Sequence, residues 1–485
     1  MPSRSCRLSV VAAVAVASFG ATVPAQAFCG FFVAGSNARL TNHASQAVLL
    51  RQGNRTTLTL SNDYQGPPES FALVVPVPVV LQKDDVKTLE PTLFDKLDTL
   101  SAPRLVEYWE QDPCYRPPPG AEMDDLLDAG HGRASASHGV TVEAQFAVGE
   151  YEIVVLGAQD SAGLETWLKQ NHYNIPPGAA TALAPYVRDQ MKFFVAKVDI
   201  HKVHRDEHGT VVLSPLRFGY PSNDLRLPVR LGLLNAPTAS GQKQDLIVYL
   251  LHAASRFEVA NLTNIFIPTN LDVSDEVRGH FASFYGQLFD AAVAKVGGKA
   301  AVTEYAWASN SCDPCPSPPL TPEDLLILGA ESTQPPPGVS PAHGQQSRRW
   351  APRDSWVLTR IHLRYDRATL AEDLVFREAA AIVGGREEVI PHPPSLTEPE
   401  RAESNSFQGR YIIRHPWVGQ VHCAQPLWNQ WGEPPDGKAR VQAGKHLDRT
   451  RTKTDTKMDL RRVVRTAFAP LQLPGHAAPR HGKSP

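Results

Sequence analysis

Excess charge, cysteine and the familiar catalytic signatures are all scarce in this chain. Lys and Arg number 48 against 50 Asp and Glu, a formal net charge of −2. That balance excludes general nucleic-acid binding, which needs a strong positive field. Beyond the first residues, no stretch approaches the roughly 20 apolar residues of a membrane-spanning helix. There is no Rossmann glycine fingerprint, no P-loop, no His-Glu-x-x-His helix and no Gly-x-Ser-x-Gly elbow. No repeat recurs at a solenoid period. No acid–base pair stands out by spacing either, so the catalytic residues are unknown and no cofactor is implied.

What is present is ordinary for a large globular protein. The 485 residues are 42% hydrophobic and 20% charged, enough to bury a sizeable core. The 42 prolines point to many extended, loop-rich connections.

The start reads as an export signal. Arg4 and Arg7 precede the apolar run "LSVVAAVAVASFGATV", and Ala25-Gln26-Ala27 fits the small-x-small rule for cleavage. The reading is a signal peptide over 1–27 and a mature chain beginning Phe28-Cys29-Gly30. Phe28 stands where a lipoprotein signal needs a small residue before its cysteine. The expected location is therefore periplasmic or extracellular. Cys6 leaves with the signal, and Cys29, Cys114, Cys312, Cys315 and Cys423 remain as candidates for structural disulfides. An odd number in an oxidising compartment leaves one thiol free or paired with another molecule.

Strand and helix patterns mix without regular βαβ alternation. They predict an α+β fold of mostly antiparallel sheets, several packed helices, Pro-rich loops and a flexible C-terminal tail. A β-rich N-terminal domain is expected over 28–116. There, "AVLLRQGNRTTLTLSNDYQ" reads as two strands around Gly53-Asn54, and "SFALVVPVPVV" as a strand pushed to an edge by Pro76 and Pro78. Leu93, Leu97 and Leu100 share one helix face. A loop or linker follows over 117–139. The central α+β domain, 140–330, contains "KFFVAKVDIHK" and "TVVLSPLRFGY", read together as a long hairpin. Its clearest helix starts at Ser274 and carries Phe281, Phe284, Tyr285, Leu288 and Phe289 as a core stripe before Gly297-Gly298. A Pro-rich connector spans 331–349. Residues 350–432 supply strands that complete the central domain.

Two clusters could carry chemistry. Cys312-Asp313-Pro314-Cys315 has the spacing of a thioredoxin-like centre, where a helix N-terminus stabilises a thiolate. Here Pro314, Pro316, Pro318 and Pro319 hold the segment extended. The next helix begins only at Thr321-Pro322-Glu323-Asp324, a capping-box start. No second Cys-x-x-Cys offers a zinc site. The pair reads as a structural disulfide, within itself or to a distant cysteine. His201, His204 and His208 lie close in sequence, but a strand would turn His201 and His204 to opposite faces. A solvated hairpin tip is the reading, with no metal.

Several segments together resemble a family. They are "FCGFF", "GPPESFALVVPVP", "SAPRLVEYW", "EYEIVVLGA" with "LAPYV", "CDPC" before "LTPEDL", and "GRYIIRHPW" before Cys423. The set resembles an uncharacterised family of exported bacterial proteins known only as a domain of unknown function. Its members are similar to "CGGFFC" at the mature start, whereas this chain has one glycine fewer and Val33 after the phenylalanines. The resemblance implies no activity. Two readings of function follow. The first is a non-enzymatic binding or structural protein of the envelope or extracellular space. The second is an extracytoplasmic thiol–disulfide or thiol-dependent enzyme using Cys312 and Cys315.

The last segment, 433–485, is basic and poor in aromatics, and is expected to be largely disordered. Within it, Leu460, Val463, Val464, Ala467 and Phe468 fall at helical spacing with Arg461, Arg462 and Arg465 mostly off the stripe. Such a helix would lie on an anionic membrane surface or an envelope partner, or pack on its own protein.

Overall fold

A computed structural model describes residues 31–33, 41–65, 72–116, 145–157, 161–170, 178–199, 201–205, 211–235, 243–312, 315–331, 356–366, 368–385, 397–435, 440–443 and 457–473. The export signal, Cys29, the 117–139 loop, His208 and nearly all of the Pro-rich connector lie outside the described residues.

The fold is α+β, with mostly antiparallel sheets. Its centre is an eleven-stranded sheet. The middle of that sheet runs Ala300–Ala308, Val357–Tyr365, Gln244–His252, Thr41–Gln52, Arg55–Gln65 and Leu216–Pro221. Thr41–Gln52 and Arg55–Gln65 form the expected hairpin, with Gly53 at φ +55° where a tight turn needs a left-handed residue. Side chains alternate along these strands, so each strand feeds two apolar layers. Ala47, Leu49, Leu58, Leu60, Leu246 and Val248 face a second sheet of Phe31–Val33, Ala72–Val77, Lys192–Val198, Tyr151–Gly157 and Gln145–Val148. Val48, Leu50, Ile247, Tyr249 and Leu251 face helices on the other side. These are α1 (Thr92–Ser101) and the short Pro322–Ile327. The second sheet is covered in turn by Ser161–Gln170 and Ala179–Arg188. Four layers result, helix, sheet, sheet, helix.

A third, mixed sheet pairs Arg104–Glu110 with Arg410–His415 in parallel. Between it and the central sheet lies the helix Phe281–Lys295, here α2. Its aromatic stripe is buried as expected, with Phe281, Phe284 and Tyr285 around Tyr411. A 3-10 turn, Asp275–His280, leads into it, and Gly297 and Gly298, both at positive φ, end it.

Four features differ from the sequence reading. Strands of 28–116 enter the three larger of the five sheets among the described residues, and each of those sheets also takes strands from later in the chain. Lys192–Val198 and Leu216–Pro221 are not a hairpin. Phe193, Phe194, Val195 and Ala196 are buried on both faces, and the strand sits inside the second sheet, while Leu216–Pro221 pairs with Arg55–Gln65. Among the described residues between them, His204–Arg205 pairs with Val211–Val212. Ala72–Val77 is an internal strand. Phe31–Val33 pairs with Ala72–Val74 on one side, and Lys192–Val198 pairs with the strand along its whole length on the other.

The tail is the fourth. Residues 457–473 are ordered against α2: Met458, Val463, Val464, Phe468 and Leu473 are buried in its core. Ser274 N donates to Val463 O (2.8 Å), Arg465 N to Asp272 O (2.7 Å) and Met458 N to Gln287 Oε1 (3.1 Å). Most of the apolar stripe is thus spent on the protein's own core, with Ala467 exposed. A membrane surface has little left to bind there. A direct consequence is that Val464→Ala, which deletes two buried methyl groups, destabilises by about 2 kcal/mol. Chemical denaturation of the two proteins measures this, and a free tail would give no change.

Candidate functional site

Two disulfides join the five cysteines' described members: Cys114 to Cys423, 309 residues apart, and Cys312 to Cys315. His201 is exposed and His204 lies in its two-residue strand. Among the described residues, no group of three or more His, Cys, Asp or Glu could hold a metal ion. No described helix is long and apolar enough to cross a membrane.

The largest polar constellation is one the sequence reading missed. Arg360, His362 and Arg364 occupy alternate positions of Val357–Tyr365, a row that reads in sequence as a solvated face. The structure buries it beneath α1 and α2. Arg360 Nη1 donates to Asp98 Oδ1 (2.6 Å) of α1, and Arg360 Nε to Glu304 Oε2 (2.6 Å). His362 bridges two carboxylates, Nδ1 to Glu304 Oε1 (2.8 Å) and Nε2 to Asp245 Oδ1 (3.0 Å). Arg364 closes the row on Asp245 (2.7 Å) and on Asp290 of α2 (2.8 Å). Tyr285 OH donates to Glu304 Oε1 (3.0 Å), and Phe289 packs 4.4 Å from the His362 ring. A β-bulge between Thr303 and Tyr305 makes this geometry. The extra residue is Glu304, which the bulge aims at the same face as Arg360 and His362.

Burial opposes a charge on His362, but Glu304 and Asp245 outweigh it and raise the imidazole above its usual range. Burial likewise pushes Asp245 up, and Arg364 and His362 overcome it, holding that carboxyl far below normal. Arg360 and Glu304 have no side-chain exposure at all. Arg360 and Glu304 are closed to any substrate, and with Asp98 and Asp290 at its ends the row ties α1 and α2 to the sheet.

The exposed chemistry lies elsewhere. Beyond Arg410–His415 the chain folds back as a loop, 416–430, across the end of Arg104–Glu110. One buried carboxylate holds both ends of it. Glu110 Oε2 accepts from Trp417 N (3.3 Å) and Glu110 Oε1 from Asn429 N (2.8 Å). Leu427 N donates to Pro113 O (2.8 Å), Arg116 Nη2 to Gln425 O (2.7 Å), and the Cys114–Cys423 disulfide clasps the middle. Beside the loop, Trp109 stacks on His415 at 4.2 Å, and Arg414 lies over Trp431 at 4.8 Å. His415 and a two-pronged Arg278 both bind Glu107. Burial pushes the Glu107 carboxyl up, but these partners hold it below its ordinary value.

On this braced frame apolar side chains face outward. Val418 is 96% exposed, Tyr115 60%, Leu427 41% and Val421 37%. From Pro416 to Gln430 there is no Lys, Arg, Asp or Glu, in a chain that is 20% charged. Val418, at 96%, is the most exposed large apolar side chain among the described residues, and exposed apolar surface gathered on one loop marks interaction sites.

Fold and site together define an α+β protein whose core is locked by a buried ion network and whose exposed loop is clasped by a long-range disulfide. The chain belongs to the family described as an uncharacterized protein conserved in bacteria (DUF2330), which it matches over residues 23–377. The loop 416–430 lies beyond that match. No curated protein matches the chain. Among solved structures, the crystal structure of baculovirus P35 is similar at 13% identity and a TM-score of 0.22, over 45% of this chain and 66% of that one. A likeness of that size carries no argument about the fold.

Proposed function

We propose that the chain is an exported, non-enzymatic binding protein that presents the 416–430 loop to a protein partner. The observation that carries this reading is the uncharged, outward-facing apolar surface of Val418, Val421, Leu427 and Tyr115 held rigid around Cys114–Cys423. Clasping a loop in place removes much of the ordering cost of binding, and aromatic anchors supply most of an interface's energy. Export is supported by the leader-like start and by the two disulfides, which persist in oxidising compartments. A protein is favoured over an anionic lipid surface because the exposed charges beside the loop, Asp112, Arg116 and Glu433, offer no net positive field to hold anionic headgroups.

A photo-crosslinking residue at Val418 in the producing cell tests the reading, with one at exposed Val296 as control. The expected result is a discrete protein adduct at Val418, absent from Val296 and abolished by Val421→Asp with Leu427→Asp. Adducts that are equal at both positions, or lipid adducts alone, would overturn it.

The thiol-enzyme alternative makes a different forecast. The helix Pro322–Ile327 starts only after four prolines and has no end to offer the Cys312 or Cys315 sulfur. No insulin reduction is expected from the purified protein. Turnover that vanishes in Cys312→Ser would instead favour the enzyme.

A further inference from the structure

The two disulfides sit in opposite settings. Cys114 and Cys423, the latter within the clasped loop, are each half-buried, and the segments they join are also hydrogen-bonded to each other. Cys315 is exposed, while its partner Cys312 is half-buried against the apolar cluster of Tyr305, Trp307 and Leu320. The ends of that loop are pinned without help from the sulfurs. Ser309 N donates to Trp356 O (2.6 Å) and Leu320 N to Ser309 O (2.9 Å). Directly after, Thr321 and Asp324 form a reciprocal capping box, and Asp324 is paired with Lys96 of α1 at 2.6 Å. Opening the Cys312–Cys315 bond therefore releases little of the fold.

We infer that Cys312–Cys315 is a thiol-exchange site at which an incoming dithiol, of a reductant protein or a small molecule, attacks Cys315 Sγ. Attack on a disulfide goes to the accessible sulfur and expels the other. The thiolate forms a new S–S bond to Cys315, and the bond to Cys312 breaks. Cys312 departs as a thiolate and takes a proton from solvent. The second thiol of the reductant then attacks its own sulfur in the mixed disulfide. Cys315 leaves as a thiolate, the reductant is oxidised to a disulfide, and two electrons have passed to the pair. With no helix end beside it, the reduced pair lacks the stabilised thiolate of a catalyst. It is an acceptor of reducing equivalents, and this holds whether or not the 416–430 loop binds a protein.

The test uses the folded mature chain. It is exposed to increasing dithiothreitol, quenched in acid, alkylated and mapped by mass spectrometry. Cys312 and Cys315 are expected to reach half-labelling at least tenfold sooner than Cys114 and Cys423, with unchanged circular dichroism. A parallel reaction with glutathione, trapped at once by N-ethylmaleimide, is expected to leave glutathione on Cys315 and maleimide on Cys312. Labelling of all four cysteines together, glutathione on Cys312, or reduction of the pair only where the protein unfolds would each overturn the inference.

Discussion

Replacing Cys114 and Cys423 together by alanine lowers the stability of the protein more than any change at the Cys312–Cys315 pair. A cross-link restrains the unfolded chain in proportion to the logarithm of the loop it closes. For a separation of 309 residues that restraint is worth about 6 kcal/mol, and for a separation of 3 about 2 kcal/mol. The long clasp also fixes the middle of the 416–430 loop, so its loss loosens Val418 and Val421 between the backbone bonds of Trp417 and Leu427. Denaturant unfolding of the wild type and the two double-alanine variants gives the comparison. Equal midpoint shifts would mean that the unfolded chain is already compact near these residues.

Glu304→Gln is expected to cost about 3–5 kcal/mol, the usual effect of removing one partner from a buried ion pair. The amide keeps the shape but removes the charge, leaving Asp98 as the carboxylate hydrogen-bonded to Arg360 and Asp245 as the one hydrogen-bonded to His362. A pH signature accompanies it. Folding raises the His362 pKa, so its contribution is fully present below the unfolded value near 6.5 and is lost as pH rises through the folded value. Folding lowers Asp245, whose contribution is present above its unfolded value near 3.8 and is lost as pH falls through the folded one. The network is thus strongest between those limits. In His362→Gln the decline of stability from neutral to alkaline pH should flatten. A decline unchanged by that substitution would place the titration elsewhere.

Local patterns in the sequence made the elements legible. The Gly53-Asn54 hairpin, the Leu93, Leu97 and Leu100 face, and the Phe281–Phe289 stripe all follow from spacing that a few neighbouring residues share. Partnerships across the chain did not show. Asp98, Asp245 and Glu304 reach the row on Val357–Tyr365 from three separate elements, and a bulge that no motif marks aims Glu304. A strand alternating Arg360, His362 and Arg364 with Ile361, Leu363 and Tyr365 looks half-solvated until α1 and α2 are placed over it. The tail misled for a related reason. Its composition is that of a disordered segment, yet five apolar side chains among the basic ones find a core already built by α2. The clasped loop was visible only as the position of Cys423, because Cys114 is its partner through folding and not through spacing.

The most direct measurement is the affinity of the protein crosslinked at Val418 for three forms of the chain: wild type, Val418→Asp, and the Cys114→Ala with Cys423→Ala variant. Val418→Asp would put an unpaired carboxylate into an apolar contact, a cost of at least about 1.4 kcal/mol, or tenfold in Kd. Both altered forms are therefore expected to bind at least tenfold more weakly, Val418→Asp with its melting temperature unchanged. Wild-type affinity in Val418→Asp would contradict the assignment of this loop as the binding surface.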